Sequence, residues 1–374
     1  MKILLISKPL CPPWHDSGKN WARDVATYAS GEGFQHHVLV PSGHEGWSGV
    51  EGVVVEPIYA GGGRYSPRLL DNVRAMRRLV ERCPCDAVHF CFAPNRRTSG
   101  LARLAMRWRK QPSIHTILSV PARFEEARSM IFADRVVCVS RSTADRLSEI
   151  GVRGVEVVLA GIPVEAPLRE GGGERLREAA AALGVEGGRP VVLFPGDYEF
   201  SQAADVFAGA VERLWRETEA VFVFACRIKR AASLERERAI QARLAEPFRA
   251  GRVRFLREVG DMRALLALSR AVALPAESTF AKMDLPLVIL EAMAEGVPVA
   301  LADVAPLREV LGQEQEGGAL VPPLDPGALA EALRPWVLDE EAARQVGSAG
   351  RARVIRRHDA AVNCRIYRDI YSSL

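Results

Sequence analysis

Short apolar, β-branched runs alternate with stretches of helical periodicity along nearly the whole chain, and few folds tolerate that alternation. It implies parallel sheets with helices on both faces. In the first half the strand-like runs are Ile3–Ile6, His37–Val40, Gly52–Val55, Ala87–Cys91, Ser113–Ile117, Val136–Val139 and Val155–Leu159. A stretch rich in Gly and Pro, from Gly161-Ile162-Pro163 to Gly171-Gly172-Gly173, then marks a linker. A second series follows with Val191–Phe194, Val221–Ala225, Arg252–Leu256, Ala271–Leu274, Val297–Leu301 and Ala319–Val321, and from Asp325 onward the pattern is helical. The reading is α/β: two doubly wound, Rossmann-like domains, 1–165 and 166–355, and a C-terminal helical segment, 356–374, that packs back on the first domain. Ligands in such sheets bind beyond the carboxyl ends of the strands, so the expected active site is a cleft between the domains.

Three helical patterns bear on function. Ser66–Arg82 places Leu69, Val73, Met76 and Val80 on one face and Arg74, Arg78 and Arg82 in a ridge elsewhere. Glu258–Ser269 and Pro286–Glu295 are the others. The 374 residues suit two domains, and 48% hydrophobic with 26% charged residues suits a soluble globular chain without a membrane span. The apolar run Met1–Ile6 is too short for a signal-peptide core and reads as a buried first strand, which makes the expected location cytoplasmic.

Seven scattered cysteines argue against a disulfide framework, and Cys83-Pro84-Cys85 lacks the spacer of a zinc or redox motif. No structural metal is expected. The net charge of +4 is uneven: residues 1–165 carry +6 and residues 166–374 carry −2. The excess is mild and the aromatics do not interleave with it, so nucleic acid is not an expected partner. The ridge at Arg74, Arg78 and Arg82, together with Arg103–Lys110, suggests instead peripheral contact with an anionic membrane, at the inner face for a cytoplasmic protein.

Several enzyme signatures fail. Pro13–Asn20 lacks the first glycine and the final Ser/Thr of a phosphate loop. No three-glycine dinucleotide fingerprint follows the first strand, and neither His-Glu-x-x-His nor Gly-x-Ser-x-Gly occurs. The most informative stretch is Lys282–Val299. Pro286 fits the first turn of a helix, leaving the amides around Leu287 and Val288 for a phosphate, and Glu291 lies one turn further in. On physics alone a salt bridge inside the fold accounts for Glu291 as well as ribose hydroxyls do.

The run PLVILEAMAEGVPV resembles the C-terminal signature of the family 4 glycosyltransferases, retaining, nucleotide-sugar-dependent enzymes of the GT-B fold. Other pieces follow in the family's order: Pro12-Pro13…Gly18, Val139-Ser140-Arg141-Ser142…Leu147…Gly151, Gly161-Ile162-Pro163, and Arg252–Val259 before Asp261-Met262. The resemblance implies that Glu291 binds the donor ribose and that the amides of Leu285 and Leu287, with Val288, face the diphosphate. It places Gly18 beside donor or acceptor, His115 near the donor sugar for hydrogen bonding or proton handling, and His15 and Asp16 toward the acceptor. His89 reads as structural.

Two departures stand out. The family's first glutamate falls on Met283, flanked by Lys282 and Asp284, and Asp284 would substitute only if the loop shifts. The family's arginine and lysine after the first C-domain strand are missing from Pro195–Gln202. Arg227 and Lys229, with Lys282 third, become the cations for the leaving diphosphate. Expected chemistry is metal-independent hexosyl transfer with retention, from a UDP- or GDP-sugar and without a cofactor, to a hydroxyl acceptor on a glycan, lipid or small molecule. The alternatives are a catalytically degenerate GT-B protein that binds a sugar nucleotide or serves as scaffold, and a GT-B epimerase or phosphorylase.

Overall fold

The computed structural model describes all residues except 45–48, 61–68, 82–84, 122, 186–187 and 281. Cys83, Pro84 and Arg82 therefore lie outside the described residues. The chain divides into two compact units: Met1–Pro163 with Phe280–Pro286 and His358–Leu374, and Val164–Thr279 with Leu287–Arg357. The segment Phe280–Pro286 thus clusters with the first unit, not with the second, where the sequence order puts it.

In the first unit β1 (Lys2–Ile6), β2 (Gln35–Pro41), β3 (Val53–Tyr59), β4 (Ala87–Cys91), β5 (Ser113–Ile117), β6 (Arg135–Cys138) and β7 (Val155–Val157) form a parallel sheet in the order β3-β2-β1-β4-β5-β6-β7. The central strands are buried on both faces because helices cover both: Ile3, Leu4 and Leu5 are fully buried, and every residue of β4 and β5 is buried too, the polar His89, Ser113, His115 and Thr116 included. Side-chain caps start the helices that follow the strands. Asp16 accepts from Lys19 N, Asn95 from Thr98 N and Ser140 from Thr143 N.

The helix after β3 runs Leu69–Val80 and departs from expectation. Leu79 is buried and Met76 half-buried, whereas Val73 and Val80, expected on the buried face, are exposed. The two described arginines of its expected ridge, Arg74 and Arg78, are both paired. Arg78 pairs with Glu56 of β3, and Arg74 lies 3.1 Å from Asp71. Hydrogen bonds from Arg78 and His37 overcome the burial that would raise the Glu56 carboxyl and hold it down at about 2.

The C-terminal segment joins this unit through a buried polar network. Ile162 N donates to His358 O and Ala360 N to Ile162 O, both at 2.9 Å, and a Cβ on Gly161 would meet His358 O at 2.5 Å, so only glycine fits there. Tyr371 Oη lies 3.1 Å from His36 Nε2 and 2.8 Å from His89 Nδ1, while Thr116 Oγ1 joins His89 Nε2 at 2.7 Å to Tyr367 Oη at 2.9 Å. His89 is structural in this setting. Tyr371→Phe leaves two buried imidazole nitrogens short of a partner, an expected loss of about 2 kcal/mol that thermal unfolding would register.

In the second unit β8 (Val191–Phe194), β9 (Val221–Ala225), β10 (Val253–Leu256), β11 (Ala271–Leu274), β12 (Val299–Ala302) and β13 (Gly318–Val321) are parallel in the order β10-β9-β8-β11-β12-β13. Phe194, Phe207, Phe222 and Phe224 fill the space between this sheet and the helix Ala203–Leu214. The helix expected from Glu258 begins only at Met262, because Asp261 turns its carboxylate onto Ala264 N at 3.0 Å and caps it there. Pro326–Leu338 and Glu340–Arg357 make the helical end of the unit.

Candidate active site

The helix Leu287–Ala294 connects β11 to the parallel strand β12, so its N-terminus lies at the carboxyl edge of the second sheet. Its residues are buried except Val288 and Glu291, which are half-buried and three apart, hence on one accessible face. Proline at 286 removes a donor, and the amides of the first turn have no partner within the helix by geometry. Glu295, one turn beyond Glu291, is a carboxylate bound inside the fold. Its Oε2 accepts from Leu168 N at 2.7 Å and its Oε1 from Arg263 Nε at 2.6 Å.

Two further loops rise from the same edge. After β8, the Asp197 carboxylate accepts from Glu199 N and Phe200 N, each at 3.0 Å, and turns the chain toward the helix Ala203–Leu214. After β9 come Arg227, half-buried, and Lys229, exposed with Nζ 5.4 Å from the centre of the Phe200 ring. Arg230 Nε stands 3.5 Å from Glu199, which also accepts from Ser233 Oγ. Arg227 and Lys229 are thus beside the loop in which the resemblance expected its basic pair. Sequence reasoning missed Glu277: both its carboxylate oxygens take the Gln202 N–H, at 2.9 and 3.0 Å, where the helix Ala203–Leu214 begins. Its only signal was position, three residues past the end of β11.

The donor candidates divide between the units. Leu287, Val288 and Glu291 belong to the second, whereas Lys282, Asp284 and Leu285 belong to the first. Lys282 is half-buried and Leu285 fully buried. Asp284 is fully buried and bound within the first unit, accepting from Val120 N at 2.7 Å, Ser140 Oγ at 2.7 Å and Thr143 Oγ1 at 2.6 Å, while its own N–H donates to Leu118 O at 3.0 Å. This corrects its expected service as a sugar ligand, because the carboxylate is committed to protein donors. Met283 is buried too, so the position of the missing glutamate is given to packing.

In the first unit, Asp16 takes Lys8 Nζ at 2.5 Å and caps the helix Ser17–Tyr28, and His15 beside it is exposed. Lys19, of the failed phosphate loop, donates to Cys11 O at 2.6 Å and Pro13 O at 2.9 Å and so ties the loop to the helix. A Cβ on Gly18 would come 2.9 Å from the Leu118 side chain, which accounts for the close backbone approach there. His115 has no exposure. Its Nε2 donates to Phe92 O at 3.1 Å, Nδ1 has no hydrogen-bond partner among the described residues, and the ring lies among Phe92 and Phe132. Burial pushes its pKa down to about 4, so proton handling near neutrality, one of its two expected roles, does not fit.

Comparison with known proteins places this geometry. Residues 19–166 match the model of Glycosyltransferase Family 4 and residues 189–339 that of Glycosyl transferases group 1. No curated protein sequence matches the chain. Among solved structures, HepE of Anabaena in complex with UDP and glucose is similar at TM-score 0.76 and 17% identity, over 100% of both chains. Sucrose-phosphate synthase of Thermosynechococcus elongatus is similar at TM-score 0.77 and 20% identity over 100% of both. A glycosyltransferase of Rickettsia africae has TM-score 0.74 and 17% identity over 100% of this chain and 98% of its own. Two parallel sheets flanked by helices in the GT-B manner, and family models matching each half of the sequence in turn, make this chain a member of the family 4 glycosyltransferases.

Proposed function

We propose that the protein transfers a hexosyl group, with retention and without a metal, from a nucleoside-diphosphate sugar, a UDP-sugar or a GDP-sugar, to a hydroxyl acceptor on a glycan, lipid or small molecule. The observation that carries this reading is the helix Leu287–Ala294, whose one accessible face near its N-terminus offers Val288 and Glu291. Ribose hydroxyls donate to the Glu291 carboxylate, and the diphosphate lies at the first-turn amides of Leu287 and Val288. Arg227 and Lys229, from the same edge of the sheet, neutralise the charge that develops as the anomeric C–O bond breaks. The acceptor oxygen forms its bond on the face the diphosphate leaves, and a phosphate oxygen takes the acceptor proton. The chain's share is positioning and charge stabilisation, so no buried carboxylate base is required. The UDP and glucose held by the similar Anabaena protein support a donor of this class.

Met283 and the loop Pro195–Gln202, which lacks the arginine and lysine and whose Gln202 N–H is held by the Glu277 carboxylate, favour one second reading: a degenerate member that binds the nucleotide without turnover. Thermal unfolding with UDP, GDP, ADP and TDP in chelator, followed by a transfer assay, decides. The nucleotide that fits adds about 2.7 kcal/mol at 100 times its dissociation constant, and a folded Glu291→Ala variant loses that shift. No shift with any of the four defeats the donor reading; a shift without transfer of sugar to any acceptor supports the degenerate one.

A further inference from the structure

Two neighbouring helices of the first unit carry apolar stripes on their solvent sides. In the helix Arg96–Arg109 the inward residues are Ser99, Ala102, Ala105 and Met106, which close the core over the sheet. Leu101, Leu104 and Trp108, three and four residues apart, share one outward stripe, with Leu104 57% and Trp108 79% exposed. The helix Leu69–Val80 packs beside it, joined by Arg109 Nη1 donating to Leu79 O at 2.7 Å, and turns Leu70 (67% exposed) and Val73 (55%) outward. Single exposed leucines are ordinary on a protein surface, whereas adjacent stripes of large apolar groups mark a surface that something covers.

The charge pattern says what covers it. From Arg96 to Lys110 the sequence holds five arginines, one lysine and no acidic residue. Three of the arginines also bind protein: Arg96 pairs with Glu126 at 3.0 Å, Arg103 donates to Ile131 O at 3.0 Å, and Arg109 holds Leu79. Arg97, Arg107 and Lys110 are exposed, Arg97 within the stripe and Arg107 beside it. On the neighbouring helix Asp71 is buried and Arg77 pairs with Glu81 at 2.6 Å, so the outward charge there is balanced. Apolar side chains that enter at headgroup depth, an indole suited to the interface, and long cationic side chains that reach lipid phosphates are the complement of an anionic bilayer. The arginine ridge expected from the sequence is largely paired and is not this surface.

We propose that Leu101, Leu104 and Trp108, with Leu70 and Val73 beside them and Arg97 and Arg107 at their flank, dock the protein on an anionic lipid surface. This goes beyond the donor reading and does not depend on it. The test is co-sedimentation of the whole chain with phosphatidylcholine vesicles, plain or doped with phosphatidylglycerol, at low and high salt. Binding that needs the anionic lipid, weakens with salt and falls at least about tenfold in Leu104→Ser/Trp108→Ser and in Arg97→Gln/Arg107→Gln supports the face. These side chains are exposed, so an unchanged melting temperature and an unchanged nucleotide shift show that fold and donor site survive. Absence of binding to anionic vesicles overturns the proposal, as does equal binding to neutral ones or binding that neither variant reduces. A self-association in light scattering that Leu104→Ser/Trp108→Ser abolishes, with no vesicle binding, makes a second copy of the chain the occupant and overturns the lipid assignment.

Discussion

Asp284→Ala is expected to destabilise the first unit by about 3–5 kcal/mol, the cost of leaving three buried donors without their shared acceptor. The carboxylate accepts from one amide and two hydroxyls, at Val120, Ser140 and Thr143, and no solvent reaches it. Alanine leaves all three donors in an apolar surround, where each unsatisfied group costs about 1–3 kcal/mol. The two hydroxyls turn to other acceptors and recover part of that, which keeps the loss below a simple sum. Ser140 also caps the helix Arg141–Glu149, so the damage extends to that helix start. Asp284→Asn keeps one acceptor oxygen but sets an amide group against a donor, and its loss falls between the two. Urea unfolding of the three proteins measures this directly. A loss below about 1 kcal/mol for the alanine variant contradicts the hydrogen-bond arrangement, since hydrogen bonds to charged groups are worth about 1.5–3 kcal/mol each. A second effect is expected on the donor. Asp284 lies three residues before the helix Leu287–Ala294 that carries Glu291, so on the proposed donor reading nucleotide affinity is expected to drop even in conditions where the variant remains folded.

Much of the architecture was legible in the sequence because a buried parallel strand has a local signature. Val191–Phe194, Val221–Ala225 and Ala271–Leu274 are apolar throughout, Ala87–Cys91 and Ser113–Ile117 are short β-branched or apolar runs with buried polar residues among them, and the bounds of all five agree with the structure residue for residue. The helix after β3 shows where periodicity runs out. It marks an apolar stripe but not its angular setting: of the residues expected on one face Met76 went inward, Val73 and Val80 stayed exposed, and Leu79, outside that set, joined the core. Arg78 was misjudged for a related reason, since its partner Glu56 lies on the preceding strand and pairing between elements leaves no trace in spacing. Asp284 is the sharpest case. A carboxylate beside a ligand-binding motif invites a ligand role, yet its donors come from Val120, Ser140 and Thr143, more than a hundred residues earlier in the chain. Glu277 was passed over because a carboxylate capping a distant helix follows no fixed interval from any motif.

Acid is expected to lower the melting temperature of the first unit more than that of the second. All seven histidines, His15, His36, His37, His44, His89, His115 and His358, fall within the first unit's segments. Burial holds three of them neutral: His36 is pushed down to about 3, His115 to about 4, and His89 well below its ordinary value. An imidazole with a lowered folded pKa binds fewer protons folded than unfolded, so its stability is complete above the unfolded value of 6.5. It is lost as the pH falls from there toward the folded value. At pH 5 the loss is about 2 kcal/mol for each of His36 and His115, at about 1.4 kcal/mol per pH unit, and His89 adds in the same direction. Asp24 opposes them. Burial raises its carboxyl to about 6, so protonation between pH 6 and pH 5 returns about 1.4 kcal/mol to the folded state. Glu56, held at about 2, does not titrate in this window. The net loss of about 3 kcal/mol lowers the first unit's melting temperature by about 6–12 °C between pH 7 and pH 5, on the scale for units of this size. Thermal scans across that range, with hydrogen exchange read by mass spectrometry to assign each transition, test the difference. A melting temperature of the first unit that stays in place down to pH 5, or falls no more than that of the second, contradicts burial of these three rings as neutral groups. Because the lost stability comes from desolvated imidazoles and not from surface ion pairs, added salt is expected to leave the shift largely intact.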